Sequence, residues 1–178
     1  MSAPPRLYAE WAAALERFAA GDDDVLAAME AGTLEWTAGA AERFTRRLHD
    51  AFFARVKDAE RRLQRDLDHA RGDEALLARA LVAVRHALAP LARLARLPTL
   101  PEAPRAHLEG ELKRLVDSIN SSLESSARAD RLRGERLLAT VRANAVRLPA
   151  PADAAPAPGD GRGASAAPPP GARRSIIL

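Results

Sequence analysis

The chain has 178 residues and a formal net charge of +3; 41 of its residues are Ala and 24 are Leu, and aromatics make up only 4%. Ala, Leu, Arg and Glu keep their rotamer freedom in a helix while β-branched and aromatic residues fill sheets, so this composition favours helices. The absence of Cys excludes a disulfide scaffold, a thiolate metal site and a cysteine nucleophile, and a charge this near balance is not that of a chain built to neutralise a polyphosphate backbone.

The first helix is predicted from Leu7, Trp11, Leu15 and Phe18, whose spacings of 4, 4 and 3 share one face. Pro4 and Pro5 suit its start and Gly21 its end. Asp22, Asp23 and Asp24 are placed to cap a short second helix carrying Val25, Leu26 and Met29, closed by Gly32. Two turns of helix depend on tertiary contacts. From Trp36 the apolar series Ala40, Phe44, Leu48, Phe52, Val56, Ala59, Leu63, Leu67, Ala70 predicts a helix of more than thirty residues. Glu42 with Arg46 and Asp58 with Arg62 lie four apart in the favourable acid-then-base order. Gly72-Asp73 gives a stop and a fresh N-cap. The next helix carries Leu77, Leu81, Val84, Leu88, Leu91 and Ala95, with a kink expected at Pro90.

After a proline-rich loop at Pro98–Pro104 comes a last long helix with Leu108, Leu112, Leu115, Ile119 and Leu123, then Leu138, Val141, Ala145 and Leu148. Its apolar stripe fails between Leu123 and Leu138, where Asn120, Ser122, Ser126, Asp130 and Gly134 stand near or in the register. Serines and Asn compete for their own backbone and Gly134 adds a further cost. Three readings follow. Small side chains admit a neighbouring helix closely, the helix breaks with Gly134 at a terminus, or this stretch is a partner-binding or hinge segment. A carboxylate at Asp130 on the inner face would require an arginine, and Arg128, Arg131 and Arg133 are at hand.

Composition shifts at Pro149: the last thirty residues hold 7 of 13 prolines and 4 of 10 glycines. Such a segment is expected to remain a disordered linker. The chain therefore divides into a helical bundle domain over 1–148 and a tail over 149–178. The tail ends differently, in Arg173, Arg174, Ser175, Ile176, Ile177 and Leu178. Three branched apolar residues delivered by a flexible leash read as a peptide meant for capture by a protein partner.

Chemistry is sparse. His49, His69, His86 and His107 never pair at helical ligand spacing, and no Glu-x-x-His occurs. No metal, cofactor or catalytic residue is indicated, and no enzymatic activity is expected. Arg43, Arg46 and Arg47, then Lys57, Arg61 and Arg65, then Arg128, Arg131, Arg133 and Arg136 read chiefly as salt-bridged outer faces, with no aromatic interleaving for nucleic-acid stacking. The N-terminus shows no secretory signal and no window reaches about 18 uninterrupted apolar residues, so a cytoplasmic chain is expected. The sequence thus predicts an all-α antiparallel helical bundle with two long helices and shorter N-terminal ones. The leading expectation is a non-enzymatic adaptor or structural subunit with a protein partner and scope for homo-oligomers. A nucleic-acid-associated helical subunit and an amphipathic coat for a membrane or granule surface are the alternatives.

Overall fold

The computed structural model describes residues 3–34 and 38–149. They form six helices, with no strand among the described residues: α1 (Tyr8–Ala19), α2 (Val25–Glu30), α3 (Ala38–Ala70), α4 (Glu74–Ala95), α5 (Glu102–Ala129) and α6 (Gly134–Ala143). The expected first member of the α3 stripe, Trp36, lies outside the described residues.

Each terminus has a local cause, though not always the expected one. Glu10 reaches back from the first turn of α1 to the backbone N–H groups of Arg6 (2.7 Å) and Leu7 (3.0 Å). These two bonds favour the carboxylate and hold its pKa below the ordinary value. Leu7 therefore stands at the N-cap and is exposed rather than joining the Trp11, Leu15 and Phe18 face. Of the three aspartates before α2, none caps it through a side chain. Asp22 instead takes Arg17 at 2.6 Å, and Asp23 takes Arg55 of α3 at 2.7 Å, so the acids tie the turn to its neighbours. Asp73 does cap α4, accepting from Ala75 N (2.8 Å) and Leu76 N (3.0 Å). The α3–α4 turn is left-handed at Arg71 and Gly72, with φ of 37° and 85°. The helix α4 runs on through Pro90. On α3, Asp58 pairs with Arg61 rather than Arg62.

The packing is organised around α4, which takes α3 along its length and also meets α2, α5 and α6, while α1 lies on α3. By length and composition α4 is the one helix among the described residues that could cross a membrane. In this fold it is the central helix, with Leu81, Leu88, Leu91 and Leu94 fully buried. Trp11 anchors α1, its ring edge-on to Phe44 at 5.4 Å and its indole N–H donating to Thr33 O at 3.0 Å. Gly32 permits this: a Cβ there would lie 2.7 Å from Trp11 Cζ2 and 2.9 Å from Pro5 O. The core is apolar throughout, with no buried polar residue among the described ones.

The expected last long helix is two helices. Asp130 ends α5 in extended backbone (φ −77°, ψ 109°), and its Oδ1 accepts from Leu132 N (2.9 Å) and Arg133 N (2.8 Å). This side-chain turn replaces helical bonds over Arg131–Arg133. Asp130 is accordingly no inner-face carboxylate seeking an arginine: the N–H groups of Arg133 and Leu132 satisfy it and lower its pKa. Gly134 opens α6 where any Cβ would lie 2.9 Å from Ala127 O. The close approach expected of Gly134 is thus made by the end of α5 itself.

Candidate docking groove

The feature that stands out chemically is a groove between α3 and α5. Both helices lean on α4, and in the first half of each they meet through His49 and His107, whose rings stack with centroids 6.1 Å apart. Beyond that point they diverge, leaving a groove of about 650 Å³, within the usual range for ligand pockets. Leu77 of α4 and Leu137 and Val141 of α6 close its floor. Its walls are Leu63 and Leu67 on α3 and Leu115, Ile119 and Leu123 on α5.

The burial of α5 explains why the groove is open. Leu108, Leu112 and Val116 are buried, and the next buried residue of the helix is Ala127. Leu115, Ile119 and Leu123 pack only partly against the core, as does Leu67 across the gap. These three α5 residues belong to the stripe that the sequence assigns to the core. They remain only partly covered because no other helix among the described residues lies over them.

The sequence-flagged residues divide between roles. Ser122, Ser126 and Asp130 line the groove, with Ser118 continuing the row at helical spacing. Asn120 does not. Its side chain donates to Val146 O (3.0 Å) and accepts from Val146 N (2.9 Å), pinning the segment after α6 to the middle of α5. Gly134 sits behind the turn as a packing residue. The tail residues Arg173, Arg174, Ser175, Ile176, Ile177 and Leu178 lie outside the described residues. The apolar walls at Leu67, Leu115, Ile119 and Leu123 were read from sequence only as core positions; a serine row running alongside that stripe was the available signal that its flank faces solvent.

The rim is acidic. Glu60, Asp68 and Asp130 face Arg71 alone among lining charges. Glu60 has no ion-pair partner among the described residues, and the Asp68 carboxylate accepts from Gln64 at 3.0 Å while its backbone carbonyl accepts from Arg71 Nε at 3.2 Å. Among the described residues no three His, Asp or Glu come together as a metal set. The groove offers apolar surface, serine hydroxyls and carboxylates.

A second surface feature is the α5–α6 turn, where Leu132 is 94% exposed and Arg128, Arg131, Arg133 and Arg136 surround a shallow depression. Arg128 is paired with Glu124 at 2.5 Å and Arg133 donates to Gly72 O.

Compared with protein-family models, curated proteins and solved structures, the chain matches none of them.

Proposed function

We propose that this chain is a non-enzymatic protein-interaction module whose groove between α3 and α5 receives a short apolar segment flanked by basic residues from a protein partner. The observation that carries the reading is the row Leu115, Ile119 and Leu123, apolar at helical spacing and left partly exposed along one wall of the groove. Contiguous exposed apolar surface rimmed by polar groups marks interaction sites. The unpaired Glu60 and the carboxylate of Asp68 favour positive charge beside the apolar segment.

Peptide selection from a random displayed library on the full-length chain tests this. Enriched sequences are expected to combine two or three branched aliphatic residues with adjacent Arg or Lys, and to lose binding to Ile119→Asp. Selection without such a consensus, or binding indifferent to Ile119→Asp, overturns it. A second reading rests on the arginine-rich turn around exposed Leu132, which suits an anionic partner such as a nucleic acid. It requires binding that weakens steeply with salt. Two of its four arginines are already engaged, which favours the first reading.

A further inference from the structure

We propose that the resting occupant of the groove is the chain's own terminal segment, Arg173–Leu178, folded back in cis as a latch that an incoming partner segment must displace. The inference rests on the docking reading given above and names which segment fills the groove first.

Three observations converge on this segment. The first is apolar match. Beyond Pro149 the chain is Ala, Pro, Gly, two Ser and scattered charges until Ile176, Ile177 and Leu178, the one cluster of large aliphatic side chains there. The walls it would meet, Leu67, Leu115, Ile119 and Leu123, are half-covered aliphatics.

The second is charge. Arg173 and Arg174 immediately precede the apolar triplet, and the α3 edge of the groove offers Glu60 and Asp68, while Arg71 and Arg133 lie toward the Gly72 and Asp130 end. A basic pair followed by three aliphatic residues is the mirror of a groove with an apolar floor and an acidic edge.

The third is reach. Arg96 holds the described end of the chain by donating to Pro149 O at 2.8 Å, and the same guanidinium pairs with Glu109 near the start of α5. From Glu109 to Ser122, at the middle of the groove, is about 20 Å along the helix, with roughly a further 10 Å around it. The 23 residues from Ala150 to Ala172 have a typical end-to-end distance of about 24–29 Å if they behave as a flexible linker. A linker whose average length matches the span it must cross gives the highest effective concentration, of order millimolar. Three aliphatic side chains make a weak ligand in free solution. Tethering is what lets so short a segment occupy its site, and it favours the cis arrangement over the tail of another copy at protein concentrations well below millimolar.

The test uses the full chain and a fluorescent peptide with the sequence of Ala172–Leu178. In the double variant Ile176→Asp, Ile177→Asp the latch is disabled and the groove is free. Fluorescence anisotropy is expected to show the peptide binding the double variant at least tenfold more tightly than the unaltered chain, where the tethered segment competes. Adding Ile119→Asp to the double variant should abolish binding, as should Leu67→Glu on the opposite wall. Both positions are partly exposed, and circular dichroism verifies that the helices persist. Equal affinity for the unaltered chain and the double variant overturns the latch, as does binding insensitive to both wall substitutions. Library-selected peptides that bind the groove while the Ala172–Leu178 peptide does not would overturn the latch and leave the docking groove standing. If neither kind of peptide binds, both fall. A tenfold difference that appears only as protein concentration rises, with a dimer in sedimentation, overturns the cis arrangement.

Discussion

At Gly134, helix propensity and packing pull in opposite directions. Ala in place of Gly near the start of α6 gains up to about 1 kcal/mol in propensity. The added Cβ, however, would lie 2.9 Å from Ala127 O, a backbone atom with no freedom to swing aside. Packing should prevail, because relieving the clash means parting the end of α5 from α6. Gly134→Ala is expected to lower stability by about 1–2 kcal/mol, in the range of overpacked sites, read as a lower denaturant midpoint with unchanged slope. A gain in stability would show that the turn relaxes freely. Two carboxylates carry the residue-scale pH dependence. The Asp130 carboxyl is held low by the N–H groups of Arg133 and Leu132, and that of Glu10 by those of Arg6 and Leu7. A pKa depressed in the folded state contributes stability above the unfolded value, and that contribution is lost as pH falls through the folded one. Thermal midpoints are therefore expected to drop on acidification. The double variant Asp130→Asn, Glu10→Gln should lose less over the same acid range, and an identical pH profile would contradict the assignment.

Four-and-three spacing names the face a helix buries but not the helix that covers it, and this governs what could be read of the elements. Helices α1, α3 and α4 are visible from Trp11 to Phe18, from Phe44 to Ala70 and from Leu77 to Ala95, since each has a partner over its stripe. Gly72 and Asp73 also announce the α3–α4 turn, one by its left-handed backbone and the other by its cap. The same reading fails on α5. Its stripe is written as clearly, yet the buried residues after Leu112 are Val116 and Ala127, while Leu115, Ile119 and Leu123 face the groove. The break after Ala129 was one of several readings because an Asp that closes a turn and an Asp that seeks an arginine look alike until the backbone around them is fixed. The groove was legible only in fragments, as Ser122, Ser126 and Asp130, because its far wall at Leu63 and Leu67 is more than fifty residues distant in sequence. The energetics should follow the covering helix. Leu81 is wholly buried, and Leu81→Ala is expected to cost about 2–5 kcal/mol. Leu123, only partly covered, should lose less as Leu123→Ala, about 1–2 kcal/mol, since part of its apolar surface is already in water. Chemical denaturation of both variants compares them directly, and equal losses would mean that the groove is closed in solution.

At the scale of the molecule, the question is whether the N-terminal pair of helices stands or falls with the rest. One apolar cluster runs without interruption from Trp11 and Phe18 through Phe44, Phe52 and Leu81 to Leu112, Leu137 and Val141. Polar ties span the same junctions. Arg93 of α4 holds Glu30 of α2 through two bonds of 2.9 Å, a pairing that raises the arginine's pKa, and Arg47 of α3 takes Glu16 of α1 at 2.6 Å. The Arg55 guanidinium lies over the Phe18 ring at 5.3 Å while bound to Asp23, so α3 grips both α1 and the turn before α2. Surface pairs contribute little each; the cohesion comes from Trp11, Phe18 and Met29, whose burial would be lost entirely if α1 and α2 swung away. With one core cluster among the described residues and no second for either part to retain, unfolding should be a single cooperative transition. Trp11 reports the N-terminal end and far-ultraviolet circular dichroism reports all six helices, so Trp36→Phe leaves one fluorophore placed to ask the question. The two signals are expected to trace superimposable denaturant curves. Fluorescence loss at lower denaturant than the helical signal would divide the molecule into an N-terminal clasp and an independent α3–α6 body, and the groove, which α1 and α2 do not line, would then belong to that body alone.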